Sequence, residues 1–254
     1  MAADLHMMSR KLFGAAASDY ANATVHVSGP DLDALLEAGA FQGTERVLDL
    51  GCGAGHTTIA VALRAAHVTG IDVTEEMLAE GRKQLERRGI GNVEFEQGDA
   101  CALGFGEASF DAVTCRFAAH HFPDAMASVR EAARVLKPGG KYLLVDSLAP
   151  EDPGLDTFEN MVEFLRDASH VRNFRASEWC RMFREAGLSA EVQYRAGLAL
   201  DGMDWVKRMR TPPTRVAMLR ELFATATPKQ RAALEIQDEP WGFSLPVGMI
   251  VGVK

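Results

Sequence analysis

Short apolar runs alternate with amphipathic segments along the first part of the chain. Val47, Leu48 and Leu50 form a run typical of a buried parallel strand, and an amphipathic segment, 57–66, follows it. Further strands are predicted at 67–72, 93–98, 110–115 and 141–146, with a helix at 124–136 before the last of them. This repeated order of strand and helix favours an α/β fold with a doubly wound parallel sheet.

The second part of the chain has a less regular pattern. A loop rich in proline and glycine, 147–154, precedes apolar residues at helical spacing, including Phe158 and Val162. Strands are predicted again at 188–196 and 241–253. We therefore predict a single domain, 1–254, whose parts are an N-terminal segment (1–45), a strand–helix core (46–147), a helical cap insertion (148–187) and C-terminal strands and helices (188–254).

Composition narrows the class of protein. The chain has 254 residues, of which 47% are hydrophobic, as expected of a globular protein. No apolar run approaches the ~20 residues of a membrane span, and the first residues lack a signal-peptide pattern. We expect a cytoplasmic protein that does not enter the membrane. The net charge of −8 argues against a nucleic-acid partner, which usually requires a basic face.

The four cysteines show no spacing typical of a zinc site or a disulfide framework, so we predict no metal. Cys52, Cys101 and Cys115 nevertheless fall at or just after the carboxyl ends of predicted strands. Small buried cysteines are common in protein cores, but thiolates gathered there would also suit soft-metalloid chemistry.

The run from Val47 to His56 carries the strongest functional signal. Three glycines on alternate positions, Gly51, Gly53 and Gly55, lie between the predicted strand and helix, as in nucleotide-binding corners. A dinucleotide site requires G-x-G-x-x-G, whereas here His56 stands in place of the last glycine, which counts against NAD(P). Asp72 ends the second strand, where ribose-binding carboxylates lie; alternatively, it caps the following helix.

Five motifs occur in a specific order: V-L-D-L-G-C-G-A-G, G-I-D-V-T-E-E-M-L, Q-G-D-A, F-D-A-V-T-C-R and R-V-L-K-P-G-G-K. Together they resemble the motifs of class I S-adenosylmethionine (AdoMet)-dependent methyltransferases, in the ubiquinone/menaquinone-biosynthesis-like (methyltransferase type 11) branch. R-F-A-A-H-H-F and R-D-A-S-H-V-R resemble further motifs of that branch, although Ala168 replaces the usual proline. The resemblance implies a Rossmann-like, mostly parallel seven-stranded sheet with an antiparallel C-terminal strand, a helical cap and an N-terminal lid.

The resemblance also implies an AdoMet site. Backbone groups of Gly51 and Gly53 would approach the methionine end, and Arg116 would bind its carboxylate or an acceptor oxygen. Asp72 would bind the ribose. The residues expected to frame or bind the adenine are Thr74, Met77, Asp99 and Ala100.

The sequence also gives candidate catalytic and acceptor-binding residues. His120 and His121 follow the fourth strand, where related small-molecule O-methyltransferases place a catalytic histidine, and Asp146 is the expected partner that orients it. We expect one histidine at most to act as base. The residues considered for the acceptor pocket are Tyr20, Phe158, Met161, His170 and Arg172. His170 and Arg172 could equally tie the cap to the core, and the N-terminal segment is either a lid or a packing arm.

The sequence thus predicts transfer of a methyl group from AdoMet to the oxygen, carbon or nitrogen of a small, partly apolar molecule. Two alternatives are an NAD(P)-dependent oxidoreductase and a non-catalytic AdoMet-binding partner protein. A homodimer is compatible with the sequence.

Overall fold

The computed structural model of the chain describes residues 2–21 and 27–254. Strands and helices alternate from the first to the fifth strand, except that a loop rather than a helix joins the third strand to the fourth. The strands are β1 (Arg46–Leu50), β2 (His67–Asp72), β3 (Val93–Gln97), β4 (Phe110–Arg116), β5 (Leu136–Ser147), β6 (Glu191–Asp201) and β7 (Gly242–Val253). The helices are α1 (Ala2–Ala21), α2 (Pro30–Gly39), α3 (His56–Ala62), α4 (Glu75–Arg88), α5 (Ala125–Val135), α6 (Pro153–Arg166), α7 (Ala176–Glu185), α8 (Gly202–Arg208), α9 (Pro213–Ala224) and α10 (Pro228–Ala233), with a 3-10 turn at Ala119–His121.

Within the described ranges, seven strands form one sheet in the order β3-β2-β1-β4-β5-β7-β6. Strands β1 to β5 pair in parallel, and β7 is antiparallel to both of its neighbours. This confirms the predicted fold class. Leu50 pairs with Ile71 on one side and Cys115 on the other, so three strands end together where the strand order reverses. Ligands of doubly wound sheets bind in the crevice at such a point.

Both faces of the sheet are covered, which explains why its central strands are almost continuously apolar. Successive residues of β5 alternate between two cores: Tyr142 and Leu144 belong to the one that includes α5 and α7 residues. Leu143 and Val145 belong to the other, together with α2 and α3 residues. All four side chains are fully buried.

A separate apolar cluster lies beside the sheet, and we call it the cap cluster. Phe158 and Val162 of α6 pack there against residues of α8, α9 and the beginning of β7. These residues include Trp205, Phe223 and Phe243. The cap is therefore built jointly by the predicted insertion 148–187 and the C-terminal segment 188–254.

Element boundaries differ from prediction at β5 and in the C-terminal segment. Strand β5 begins at Leu136 rather than at 141, because Leu136 already pairs with Phe110 of β4. Strand β6 begins later and ends later than 188–196, because it is a mostly exposed edge strand whose apolar alternation is weak. Its extent is set by pairing with β7 as far as Asp201. Helix α10 was not predicted; the Thr227 side chain accepts the Gln230 N–H and so caps its first turn. In the described part of the chain, none of the helices is both long and apolar enough to cross a membrane.

Candidate active site

The glycine corner is shaped by backbone conformation. Gly51 and Gly53 have φ values of 63° and 53°, in the left-handed region that disfavours other residues. A Cβ at Gly51 would lie 2.5 Å from the Cβ of Ala118, so the loops after β1 and β4 touch at this position. The corner thus requires glycine both for its φ angles and for close packing.

Asp72 holds this corner in place. Its Oδ2 accepts the Gly53 N–H at 2.9 Å, and its Oδ1 accepts the Thr74 N–H at 2.8 Å. Burial raises the pKa of Asp72, and the two N–H donors oppose that rise. Helix α4 begins after Thr74, so Asp72 fixes the approach to the helix while its carboxylate still faces the cleft.

A cleft with a volume of about 960 Å³, its open mouth included, lies at the carboxyl ends of β1, β2 and β4. The structure brings all eight predicted cofactor residues onto its wall: Gly51, Gly53, Asp72, Thr74, Met77, Asp99, Ala100 and Arg116. Four side chains of α1 complete the wall, namely His6, Ser9, Phe13 and Tyr20. Helix α1 thus lies across the cleft, a position consistent with either a lid or a packing arm.

Two of the predicted cofactor residues have partners that sequence reasoning missed. His6 Nε2 lies 3.6 Å from Asp99 Oδ1, which also accepts the Cys101 N–H at 2.8 Å. Arg116 donates from Nε to Asp31 Oδ2 at 2.5 Å, and both side chains are largely buried. Asp31 of α2 therefore fixes the orientation of Arg116 within the cleft wall.

Asp49 holds together the elements around the glycine corner. Its two carboxylate oxygens accept the hydroxyls of Thr58 at 2.6 Å and Thr114 at 2.8 Å, which join β1 to α3 and β4. Burial raises the pKa of Asp49 to about 6, and the two hydroxyls oppose the rise.

An adjoining cavity of about 570 Å³, open space included, shares part of its wall with the cleft. The shared residues are Phe13, Tyr20, Phe117 and His121. The remaining wall residues are His120, Ser147, Glu163, Arg166, Leu198, Leu200, Trp205, Arg208 and Leu245. Its size suits a small molecule, and it lies beside the cleft that holds the predicted cofactor residues.

His120 and Asp146 form the expected histidine–carboxylate pair. His120 Nδ1 lies 2.6 Å from Asp146 Oδ1, and its backbone N–H donates to Asp146 Oδ2 at 3.0 Å. Burial opposes the charged imidazolium, but the carboxylate outweighs burial and raises the pKa of His120 above its ordinary value. Because Asp146 engages Nδ1, the other ring nitrogen of His120 is the one available to a ligand.

His121 lies in a different environment, although its ring centroid is only 4.1 Å from that of His120. Its Nδ1 lies 3.1 Å from the Ser169 carbonyl oxygen, so Nδ1 carries the hydrogen. Burial and the nearby His120 lower the pKa of His121 to about 4. At neutral pH, His121 is therefore uncharged at the junction of the two cavities.

The predicted acceptor-binding residues are not brought together. Tyr20 lines both cavities, and its hydroxyl accepts from Arg166 Nη2 at 3.1 Å. Phe158 is buried in the cap cluster, and Met161 is 41% exposed; neither lines the cleft or the adjoining cavity. The helical phase of α6 is the reason, since Glu163 and Arg166 face the cavity instead.

His170 and Arg172 also lie outside both cavity walls. His170 Nε2 bonds Asn160 Oδ1 at 3.0 Å, and Arg172 donates to Asp156 Oδ2 at 2.9 Å. Both side chains tie the 168–175 loop to α6, so these bonds lie within the predicted cap insertion rather than between the cap and the core. Burial and nearby cations lower the pKa of His170 to about 2, so it stays neutral.

The cysteines do not come together as a cluster of thiolates. Cys52 lines the cleft and Cys115 is in the sheet core, and burial raises the pKa of both thiols. Burial also raises the pKa of Cys101, to about 12. Among the described residues, no group of three or more His, Cys, Asp or Glu side chains is arranged to hold a metal ion.

Comparison with known proteins gives the family. A model described as "Methyltransferase domain" matches residues 47–140. The chain is 38% identical to the uncharacterized methyltransferase YcgJ of Bacillus subtilis (strain 168), over 98% of this chain and 100% of that protein. It is also 41% identical over 111 residues, 42% of this chain and 47% of the relative, to a demethylmenaquinone methyltransferase of Listeria welshimeri.

Two solved structures share the whole architecture. The YcgJ structure matches with a TM-score of 0.86 and 38% identity, covering 88% of this chain and 97% of that chain. Protein BH2331 of Bacillus halodurans C-125 matches with a TM-score of 0.85 and 36% identity, covering 89% and 99%.

The fold, the glycine corner and the acidic residues of the cleft define an AdoMet-dependent methyltransferase. The chain belongs to the class I family of these enzymes, together with YcgJ. Family membership excludes the two alternatives, an NAD(P)-dependent oxidoreductase and a non-catalytic AdoMet-binding protein. The cofactor is AdoMet.

Proposed function

We propose that this methyltransferase acts on a small, partly apolar molecule in the adjoining cavity, at an atom that loses a proton during transfer. The observation that carries the proposal is the His120–Asp146 pair on the wall of a cavity that opens beside the AdoMet cleft. A hydroxyl or an acidic carbon requires such a base, whereas a neutral amine attacks without one.

The cleft residues fit the cofactor. Gly51 and Gly53 leave backbone groups uncovered where the methionine part would lie, and Arg116 supplies a cation oriented by Asp31. Asp72 and Asp99 offer carboxylate oxygens to ribose hydroxyls and to the adenine amine. AdoMet supplies a methyl group on a sulfonium, and transfer forms the bond from acceptor to carbon while the carbon–sulfur electron pair goes to sulfur.

The residues of the chain supply position and a proton acceptor. Asp146 holds the His120 ring with its hydrogen on Nδ1, so that Nε2 receives the acceptor proton and later releases it to water. The Asp146 carboxylate stabilises the imidazolium that forms. Phe13, Phe117 and His121 stand at the junction and restrict water there, which strengthens the electrostatic interactions of the reacting groups.

The test is a methylation assay with a panel of phenols, enols and amines, using mass spectrometry to detect one added methyl group. We expect products from phenols or enols. His120→Gln should lower kcat about 100-fold or more while S-adenosylhomocysteine binding is retained. His67→Gln, at the amino end of β2 and away from both cavities, is the matched control. Methylation of amines alone, with full activity in His120→Gln, would contradict the proposal.

A further inference from the structure

Two arginines place positive charge on the wall of the adjoining cavity. Arg166 ends α6 and Arg208 ends α8, and both side chains line the cavity. Cations at helix C-termini are favoured by the helix dipole, but that effect is small and does not require them to face a cavity.

Neither guanidinium has a carboxylate partner in the described part of the chain at ion-pair distance, 4.0 Å. Arg166 donates to two neutral groups, the Tyr20 hydroxyl at 3.1 Å and the Trp205 carbonyl at 3.3 Å, and stacks on the Trp205 ring at 5.1 Å. Arg208 Nε is buried and has no hydrogen-bond partner. Burial and the charge of Arg166 lower the pKa of Arg208, so the two cations repel each other across this space.

The groups near Arg166, including Glu163 and Asp167, raise its pKa despite burial. The pKa of Arg208 is instead lowered, so the charge of Arg208 is compensated incompletely. Glu163 lines the same cavity, but burial raises its pKa, and its Oε1 has no hydrogen-bond partner. Asp167 acts on Arg166 at longer range and lies 3.8 Å from His121 Nε2. Because a buried, unpaired cation is unfavourable, a single negative charge from a ligand would stabilise this end of the cavity.

Much of the remaining cavity wall is apolar. Phe117, Leu198, Leu200, Trp205 and Leu245 surround a space suited to an aromatic or short aliphatic body. A dianion would be opposed by Glu163, whereas a carboxylate carries one charge and matches the planar donors of a guanidinium. The wall therefore combines an apolar surface, two cations and the His120 base.

We propose that Arg166 and Arg208 bind a carboxylate carried by the acceptor, so that the substrates are small apolar carboxylic acids. This inference rests on the proposed function, since it assigns the acceptor class of the same cavity. The carboxylate anchors the molecule, and a second group, near His120, receives the methyl.

The test measures binding to the enzyme saturated with S-adenosylhomocysteine. Calorimetric titrations compare 4-hydroxybenzoate and 4-hydroxyphenylacetate with their uncharged amides. We expect at least one acid to bind about tenfold or more tightly than its amide, as charge-assisted hydrogen bonds imply. Arg208→Met should abolish this preference. The substitution breaks no hydrogen bond at Nε, because that atom has no partner among the described residues. Arg220→Met, which removes an exposed arginine stacked on Trp241, should keep it.

Equal or weaker binding of both acids relative to their amides in the unmodified enzyme would overturn the proposal, and this comparison needs no variant. An undiminished preference in Arg208→Met would overturn it as well. The two proposals fail in different ways. If acids bind preferentially but no acceptor is methylated, the proposed function is wrong and the carboxylate site is retained. If a neutral phenol is methylated and acids show no preference, the base mechanism is retained and the carboxylate site is wrong.

Discussion

Asp146 Oδ1 lies 2.6 Å from His120 Nδ1, and the second oxygen of this fully buried carboxylate accepts the backbone N–H of the same histidine. The carboxylate thus fixes both the ring and the main chain of His120. Such double attachment leaves the imidazole little freedom to rotate away from the cavity.

The pH dependence of activity follows from this pair. The carboxylate raises the pKa of His120, and only the neutral ring accepts a proton, so kcat/KM should rise with pH through a value above the ordinary 6.5 or so. Asp146→Asn removes the carboxylate charge and should move this inflection to lower pH while lowering kcat. A profile without inflection between about pH 5 and 9 would exclude His120 as the base.

Asp72 is expected to dominate cofactor affinity. Asp72→Ala removes a carboxylate that accepts two backbone N–H groups and lines the cleft, where we propose that it binds the ribose. The Kd for AdoMet should rise about 30-fold or more, since hydrogen bonds to a charged group contribute about 1.5–3 kcal/mol. Calorimetry measures the change. Asp238→Ala, which breaks an exposed pair with Arg231, serves as the matched control and should bind AdoMet normally.

Gly51 should tolerate no side chain. Gly51→Ala imposes a positive φ on alanine and drives its Cβ against Ala118, so we expect a loss of about 2–4 kcal/mol in the free energy of unfolding. Gly91→Ala is the control, because its Cβ would meet open space. Urea unfolding monitored by circular dichroism compares the two. Equal stability of both variants would show that the corner relaxes.

Acid should destabilise the protein through its buried histidines. The folded pKa values of His121 and His170 are lowered, to about 4 and about 2, so the unfolded state binds more protons below pH ~6.5. These two histidines therefore make stability fall as pH drops from that value toward 4, while the raised pKa values of His120 and Asp49 oppose the loss. His170→Gln should make this loss shallower by about one proton, or ~1.4 kcal/mol per pH unit, over that window.

The measurement is the free energy of unfolding at several pH values, with His67→Gln as control. His170→Gln also loses the bond to Asn160, so its stability at pH 7 will be lower while its slope is smaller. An unchanged slope would mean that other groups account for acid unfolding.

Local motifs were sufficient to predict that the eight candidate cofactor residues lie in one cleft. They lie at or near the carboxyl ends of strands whose order and direction are set by apolar runs and glycine turns. The His120–Asp146 pair was predictable for the same reason, because β4 and β5 are parallel neighbours that end together.

The wall of the adjoining cavity could not be predicted from the sequence, because it depends on packing between distant segments. Apolar spacing alone could not show that Phe158 packs into the cap cluster while Arg166, on the same helix, faces the cavity. Arg208 lies in a segment without a motif, and its place on the cavity wall depends on the packing of α8. Arg166 lies within R-D-A-S-H-V-R, but the motif alone does not show that Arg166 lines the cavity while Arg172 does not.

Phe13 and Tyr20 of one helix wall both compartments. Because the same helix lines both cavities, we expect release of the demethylated cofactor and release of the methylated product to be coupled. A cross-link between α1 and α4 should then slow both releases by a similar factor.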